Sequence, residues 1–598
     1  MKFPLSSTGR RRAVALTSAT ALVAGGLIAG PAAPAQAQTN CTVDYNTAWD
    51  GGGGFGADIT INNLGSAING WNLTFNFPGD QQVTNGWTAV WSQSGSEVTA
   101  SNESWNASIP ADGSISIGFN GSYGSSNEAP TTFFLNGVEC TGQPGNGDDD
   151  DDDDDNGNGD DPGNGGQEPG DPGDRVANPY VGADVYVNPD WSAAAQAGGA
   201  PAEVYNHPTG VWLDRIAAIE SGSAGENTTG LEDHLDQALD QKSGDTPMVF
   251  QVVIYNLPGR DCAALASNGE LGPEEIDRYK EEYIDVITDI IAQERFRDLR
   301  IVAVIEIDSL PNLVTNTGGE PGATEMCDTM LANGNYVEGV GYATGQLGSI
   351  DNVYPYIDAA HHGWIGWDSN FTPSANIICD SLNAGGAEPG HLAGLITNTA
   401  NYSALEEPFI DTFGNAPDGQ LIRQSDWVDW NDYNSERRFA QDFRQELVSV
   451  CDGVDSNIGM LIDTARNGWG GPDRPTAASS ATELNQFVEE SRVDRRIHKG
   501  NWCNQAGAGL GERLTVEPVS GIDAYVWIKP PGESDGSSEY IENDEGKGFD
   551  EMCDPAYEGN ERNGNSMSGA IGDAPISGHW FQAQFQELMD NAYPPLGN

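Results

Sequence analysis

Apolar and polar positions follow two rhythms along this chain, and the change of rhythm marks its organisation. Between residues 41 and 140 the period is two. In Trp71-Asn72-Leu73-Thr74-Phe75-Asn76-Phe77 apolar side chains alternate with polar ones, and Ile115, Ile117 and Phe119 repeat the pattern, as strands with one buried face require. Asn and Gly clusters punctuate these runs at the spacing of a β-sandwich, and no helical period appears. From about 175 onward the pattern changes. Continuous apolar runs at Met248–Leu257, Leu299–Ile307, Val353–Asp358, Ala393–Thr397, Ile458–Asp463 and Ile522–Ile528 read as strands buried on both faces. They alternate with helical segments: one with Ile276, Tyr279, Tyr283, Ile287 and Ile290 on a single face, then Glu436–Val450 and Phe581–Asn591. This repetition predicts a parallel (β/α) barrel behind an all-β sandwich.

Neither rhythm covers the two remaining segments. Residues 1–37 combine Arg10-Arg11-Arg12, an apolar small-residue stretch from Ala13 to Gly30 and Ala35-Gln36-Ala37, the layout of a cleaved export signal. A secreted protein starting near Gln38 is expected, with no membrane span after cleavage. Residues 141–174 hold Gly, Pro, Asn and an unbroken Asp run from 148 to 155; self-repulsion keeps such a linker extended. That run lacks the spaced ligands and turn glycine of a calcium loop. The expected domains are thus 1–37, 38–140, 141–174 and 175–598.

Charge narrows the partners. The chain carries 90 acidic and 27 basic residues, a formal net charge of −63, which excludes a nucleic-acid binder held by phosphate contacts and disfavours anionic lipid. Fifteen Trp and eight Cys argue for a folded chain nonetheless. In an oxidising compartment the cysteines are expected to pair. Cys41 and Cys140 bracket the sandwich. Cys262, Cys327, Cys379, Cys451, Cys503 and Cys553 allow fifteen connectivities, of which pairing in sequence order is the simplest. Each bridge contributes about 2–4 kcal/mol.

In a parallel barrel the active site lies at the C-terminal ends of the strands. Those ends carry Tyr255-Asn256-Leu257-Pro258-Gly259-Arg260-Asp261-Cys262, then Ile305-Glu306-Ile307-Asp308-Ser309-Leu310, then Asp358 followed by His361, Trp364 and Trp367. Asn398 and Asn401, Asp463 and Arg466, and Trp527 to Asp535 complete the series. Carboxylates among indoles, with no metal or nucleotide motif and no cofactor implied, suit a glycosidase: sugar rings stack on Trp and a carboxylic acid protonates the departing oxygen. His361-His362 has no partner at metal-ligand spacing. An inverting carboxyl pair stands about 6.5–9.5 Å apart to admit water, and a neighbouring carboxylate raises the pKa of the acid.

The Tyr-x-x-Pro-x-Arg-Asp-Cys, Ile-Glu-x-Asp-Ser-Leu and Lys-Pro-x-Gly-Glu-x-Asp stretches resemble the signatures of glycoside hydrolase family 6, in the family's order, across essentially all of 175–598. The resemblance implies a distorted, incomplete barrel and inverting cleavage of β-1,4-glucans. It implies Asp308 as general acid, Asp261 as the neighbour that keeps it protonated, and Tyr255 as the group favouring a distorted sugar ring. Ser267 would hold the water chain, and Asp535 is the candidate base or final proton acceptor. Trp364, Trp367 and Trp527 match sugar-subsite positions and Trp191 a further one; Lys529, Glu533, His361 and Asn401 would bond sugar hydroxyls. Asn256 and Ile307 depart from the Asp and Pro of many members, without removing a catalytic group.

Residues 41–140 resemble a family 2 carbohydrate-binding module through the end cysteines and Ile68-Asn69-Gly70-Trp71. Trp49, Trp87 and Trp105 match its cellulose-binding face, whereas Trp71 reads as core. The Gly51–Gly54 run beside Trp49 is longer than usual.

Within the resembled family, enclosing loops separate processive enzymes from open-cleft ones. The stretch Gly532–His579 is long, Gly-rich and acidic, and carries Cys553, whose expected partner is Cys503. Pro311–Asn335 is a second insertion holding Cys327, expected to pair with Cys262. Such loops are usually functional. A tunnel is therefore expected, and with it an exo-acting cellobiohydrolase releasing cellobiose from non-reducing ends, monomeric, with cellulose as partner. The alternatives are an open-cleft endoglucanase and a non-catalytic cellulose-binding protein. With six Lys against 21 Arg, the acidic surface resembles that of proteins from saline habitats.

Overall fold

In the computed structural model of this chain the described residues lie within 41–140 and 175–597, apart from 52–53, 64–67, 103–105, 111–112, 125–126, 131, 137, 223–227, 320–321 and 544. The expected export signal, the linker and Trp105 lie outside them. The described residues form two compact units, one on each side of 141–174.

Besides a short pair, Ile68–Asn69 with Ser108–Ile109, the described residues of the first unit form two large antiparallel sheets. One runs in the order Cys41–Gly51, Gly54–Asn63, Ser114–Ser122, Gln82–Trp87; the other runs Val138–Glu139, Phe133–Leu135, Asn72–Asn76, Glu97–Ser101, Val90–Ser94. The period-two residues meet between them. Leu73, Phe75, Phe77, Ile117 and Phe119 are buried with Trp71, and Phe75 packs edge-on against Phe77 with centroids 5.4 Å apart. The Cys41–Cys140 disulfide joins the ends. Trp87, 42% exposed, lies over Gly118, where a Cβ would stand 2.4 Å from the indole. The missing side chain lets the ring lie close to the sheet.

The second unit holds nine strands: β1 (Asp184–Val185), β2 (Val211–Leu213), β3 (Met248–Ile254), β4 (Leu299–Ile305), β5 (Val353–Asp358), β6 (Gly394–Thr397), β7 (Gly459–Asp463), β8 (Thr515–Val519) and β9 (Ile522–Val526). They pair in the order β1-β3-β4-β5-β6-β7-β9-β8, with β2 also on β3. Every pairing is parallel except β8 with β9. Successive side chains of β3 go to opposite layers. Met248, Phe250, Val252 and Ile254 join the core under the helices, while Val249 and Val253 point inward with Val302, Val304, Leu461 and Val526. Both faces are apolar, which accounts for the unbroken runs. The ladder does not close: between β2 and β9 stand the Gly210 N–H to Trp527 O bond (3.1 Å) and the Trp212 indole to Ile528 O bond (2.9 Å). The expected distorted, incomplete barrel is present.

Predicted strands overshoot at Leu257, Ile307 and Ile528, because apolar residues continue past the ladder into the loops. The backbone turns left-handed there at Glu306 (φ 48°) and Asp308 (φ 53°). The amphipathic segment forms a helix whose middle, Tyr279–Ile284, is π-helical. That wider turn buries both Tyr279 and Tyr283. Tyr279 donates to Glu306 Oε1 (2.7 Å), and the Tyr283 oxygen accepts from the Tyr255 amide (3.0 Å). An irregular turn thus holds two strand ends. β1 and β2 are too short to show a period, and β8 is largely exposed. The helix Asn335–Gly348 carries four glycines that lower its helix propensity; at Gly341 a Cβ would meet Ser381 O at 2.5 Å, so the small residue permits close helix packing.

Candidate active site

The ends of β3, β4, β5, β6 and β9 surround a cavity of about 1140 Å³. Tyr255, Asp261, Ser267, Asp308, His361, Trp364, Trp367, Asn401, Lys529 and Asp535 line it.

Beyond β3, Arg260 fixes the loop. Its guanidinium lies 4.0 Å from the Tyr255 ring centroid and donates to the carbonyls of Asp214 (2.7 Å), Tyr255, Ser267 (2.8 Å) and Asn268 (3.0 Å). The Tyr255 hydroxyl donates to Asp261 Oδ2. Beyond β4 the Asp308 N–H donates to Asp358 Oδ1 (3.1 Å), which also accepts from the Ala360 N–H (3.0 Å). The half-buried Asp308 and two buried carboxyls, Asp261 and Asp358, therefore share one neighbourhood. Burial, then the charges of Asp358 and Asp261, push Asp308 well above the usual carboxylate range. Burial raises Asp261 too, opposed by bonds from Ser267 and Tyr255 and by the Arg260 charge. Asp358 is pushed up to about 7, chiefly by burial. Left-handed φ values at Asp261, Asp308, Ala360, Asn398 and Ala400 cluster at these strand ends, where strain accompanies function.

On the far side Asp535 is ion-paired to Arg466 (2.7 Å) and accepts from the Tyr402 hydroxyl (2.6 Å) and the Asn504 N–H (2.8 Å). Asp463, raised by burial to about 6, accepts from the amides of Ala400, Ala465 and Lys529. Lys529 stands 3.8 Å from Glu533 and 5.0 Å from the Trp212 centroid. His361 lies against Ser403 Oγ (3.2 Å), and Asn401 Oδ1 accepts from Arg496 (3.0 Å). His362 pairs with Glu436 (2.6 Å). Trp364 donates to Thr315 Oγ1 (2.8 Å), and Trp367 to Asp429 O (2.7 Å).

Three expected residues fall outside the cavity lining. Trp527 is fully buried, its indole bonded to Glu512 O (2.9 Å) and its face covered by His207 at 3.8 Å. Trp191 packs edge-on against it and donates to Pro531 O (3.0 Å). Both belong to the core, not to a sugar platform. Ala524, Val526 and Ile528 point into the barrel, so residue 527 faces the other way. Glu533 reaches the site only through Lys529. In return the cavity gains Trp212 and Trp502. Trp502 precedes Cys503; its place beside a cysteine expected to tie the long loop was the available signal. Asp358 was visible as an acid at a strand end. In the sandwich, Trp87 is exposed and Trp71 is core, whereas the Trp49 side chain is not among those described.

All four disulfides join neighbours in sequence order: Cys41–Cys140, Cys262–Cys327, Cys379–Cys451 and Cys503–Cys553. The second and fourth secure the two insertions that cover the cavity, one contributing Gly322, Thr324 and Met326, the other Phe549 to Met552, Tyr557 and Asn560 to Arg562. Arg562 spans them, donating to Ala263 O (2.7 Å) and to Gly322 O. Gly322 has φ 105°, and a Cβ there would stand 2.5 Å from Arg562 Nε. The two insertions, so joined, form a partial roof.

The sequence model described as glycosyl hydrolases family 6 matches residues 176–592. The chain belongs to that family. A cellulose binding domain model matches 40–140. Exoglucanase A of Cellulomonas fimi is 46% identical over 445 residues, covering 71% of this chain and 49% of the relative; this chain thus matches about half of that protein's length. The 1,4-beta-D-glucan cellobiohydrolase C of Emericella nidulans is 33% identical over 70% of this chain and 79% of its own. Among solved structures, the catalytic domain of Cellulomonas fimi Cel6B is 44% identical with a TM-score of 0.66, covering 71% of this chain and 97% of that one. Among the described residues no helix is long and apolar enough to cross a membrane.

Proposed function

We propose that this family 6 hydrolase is a secreted, monomeric cellulase that cleaves β-1,4-glucosidic bonds of cellulose with inversion. It acts from non-reducing chain ends and releases cellobiose. The observation that carries the exo reading is the partial roof: two disulfide-tied insertions joined by Arg562, lining the same cavity as the carboxyl cluster. The names of the relatives, exoglucanase and cellobiohydrolase, support it.

Asp308 is the general acid, kept protonated by burial and by the charges of Asp358 and Asp261. It protonates the glycosidic oxygen as water attacks the anomeric carbon from the opposite face. Tyr255, clamped between Arg260 and Asp261, favours the distorted ring. Ser267 holds the water chain, and Asp535, braced by Arg466, is the final proton acceptor. Trp364, Trp367 and Trp502 carry glucosyl rings, and Lys529 and Asn401 bond their hydroxyls. The exposed indole of Trp87, with Trp49 and Trp105, holds the sandwich on crystalline cellulose.

One experiment tests acid and mode together. Asp308→Ala should lower hydrolysis by about 10²–10⁴-fold with cellulose binding intact. The native chain should release reducing sugar from carboxymethylcellulose with little loss of viscosity. Unchanged activity removes the assigned acid, and a rapid viscosity drop replaces exo by endo action.

A further inference from the structure

The platform Trp367 is not the outermost aromatic group of its row. Its indole N–H donates to the carbonyl of Asp429 (2.7 Å), and the next residue, Trp430, is 53% exposed and does not line the cavity. Solvent-exposed tryptophan in a fixed pose calls for a reason, because an indole is among the largest apolar surfaces a protein can present.

The pose is built, not incidental. Asp429 and Trp430 have consecutive left-handed φ values of 48° and 63°, a conformation costly for bulky residues that persists only where surrounding structure imposes it. The imposing contacts are specific. The Asp429 amide donates to Ser425 O (2.8 Å) and the Trp430 amide to Arg423 O (2.7 Å). The Arg423 guanidinium returns a bond to Trp430 O (3.1 Å) and pairs with Asp432. That same guanidinium lies 5.7 Å from the Trp430 ring centroid and 5.3 Å from that of Phe413. Phe413 is itself 48% exposed, and Arg438 lies 5.1 Å from its ring. The following residue, Asn431, is buried and donates to His362 O (2.8 Å), which ties the turn to the strand end that also carries His361. Trp430 is therefore a rigid aromatic surface bonded through one peptide to Trp367.

We infer that Trp430, with Phe413 beside it, is a glucan-stacking platform outside the partly roofed cavity, guiding a single β-1,4-glucan chain onto Trp367. This rests on the proposed cellulase reading and extends it by one external subsite. An indole face matches the apolar C–H face of a glucosyl ring, and the hydrogen bond from the Trp367 indole to the Asp429–Trp430 peptide sets the two tryptophans next to one another. A ligand long enough to reach past Trp367 feels it, and a short one does not.

The test uses the full chain and its Trp430→Ala and Trp430→Phe variants on cellotetraose, swollen amorphous cellulose and crystalline cellulose. Cellotetraose kcat/KM should stay at the native value, showing that Trp367 and the catalytic centre are undisturbed. Hydrolysis of both polymers by Trp430→Ala should fall about threefold to tenfold, with Trp430→Phe recovering most of it. Native rates on both polymers overturn the platform. An equal loss on cellotetraose overturns it in favour of a structural prop for Trp367. A loss confined to crystalline cellulose places Trp430 on the crystal face and overturns the single-chain path. A native chain inactive on every glucan would instead sink the cellulase reading.

Discussion

Asp358 divides one carboxylate oxygen between the amides of Asp308 and Ala360, and its charge weighs on Asp308 more than that of Asp261. In the mechanism proposed above Asp308 works as the protonated acid, so activity is lost as pH rises through its elevated pKa. Asp358→Asn keeps an oxygen for the two amides and removes the charge. The alkaline limb of the kcat profile should then move to lower pH by about one unit, the size of a 1.4 kcal/mol charge interaction. Stability should move the other way. The native state holds the Asp358 proton up to about pH 7 and the unfolded chain only to about 4. Native stability on this account is full at low pH and falls through that window, and Asp358→Asn should escape the fall in pH-dependent melting. Asp308 and Asp261 were legible because their neighbours in sequence form recognisable stretches. Asp358 was legible only as a strand-end acid, since its effect comes from a neighbouring strand. Trp527 and Trp502 show the same limit: orientation depends on strand parity and on a disulfide partner, neither of which residue type reveals.

The strands from Met248 to Val526 were readable because burial on both faces leaves an unbroken apolar run. Glu436–Val450 has the predicted bounds because it packs one apolar face on the sheet. Elements whose stability comes from contacts rather than composition stayed hidden, among them β1, β2 and the glycine-rich helix Asn335–Gly348. The roof was legible as length and cysteines, but the contact that joins its two parts was not, since Arg562 bonds main-chain carbonyls and no complementary residue type marks them. Arg562→Ala should loosen the roof while both disulfides keep the loops folded. The viscosity loss on carboxymethylcellulose per reducing end released should rise about twofold or more, because each lost guanidinium bond is worth about 1 kcal/mol. No change would mean that the disulfides alone hold the cover.

Across the molecule, the acidic excess is distributed rather than local. Thirteen acids lie in 141–174 and nine in 38–140, both without a basic residue, and 68 acids face 23 basic residues in 175–598. Like charges at that density repel, and salt screens them. The melting temperature should therefore rise by several degrees between about 0.1 and 1 M sodium chloride, where the Debye length falls from ~10 to ~3 Å; a flat or falling series would assign the acidity to solubility alone. The bond pattern of Arg562 has a consequence for time as well as for shape. A fastening made of one exposed guanidinium and two carbonyls is a clasp, not a weld: opening it breaks no covalent bond and strands no buried charge. On the proposed exo reading, a polymer under it has two clocks, one for sliding forward by a product unit and one for the clasp to spring. Their ratio sets how many cuts a single encounter yields.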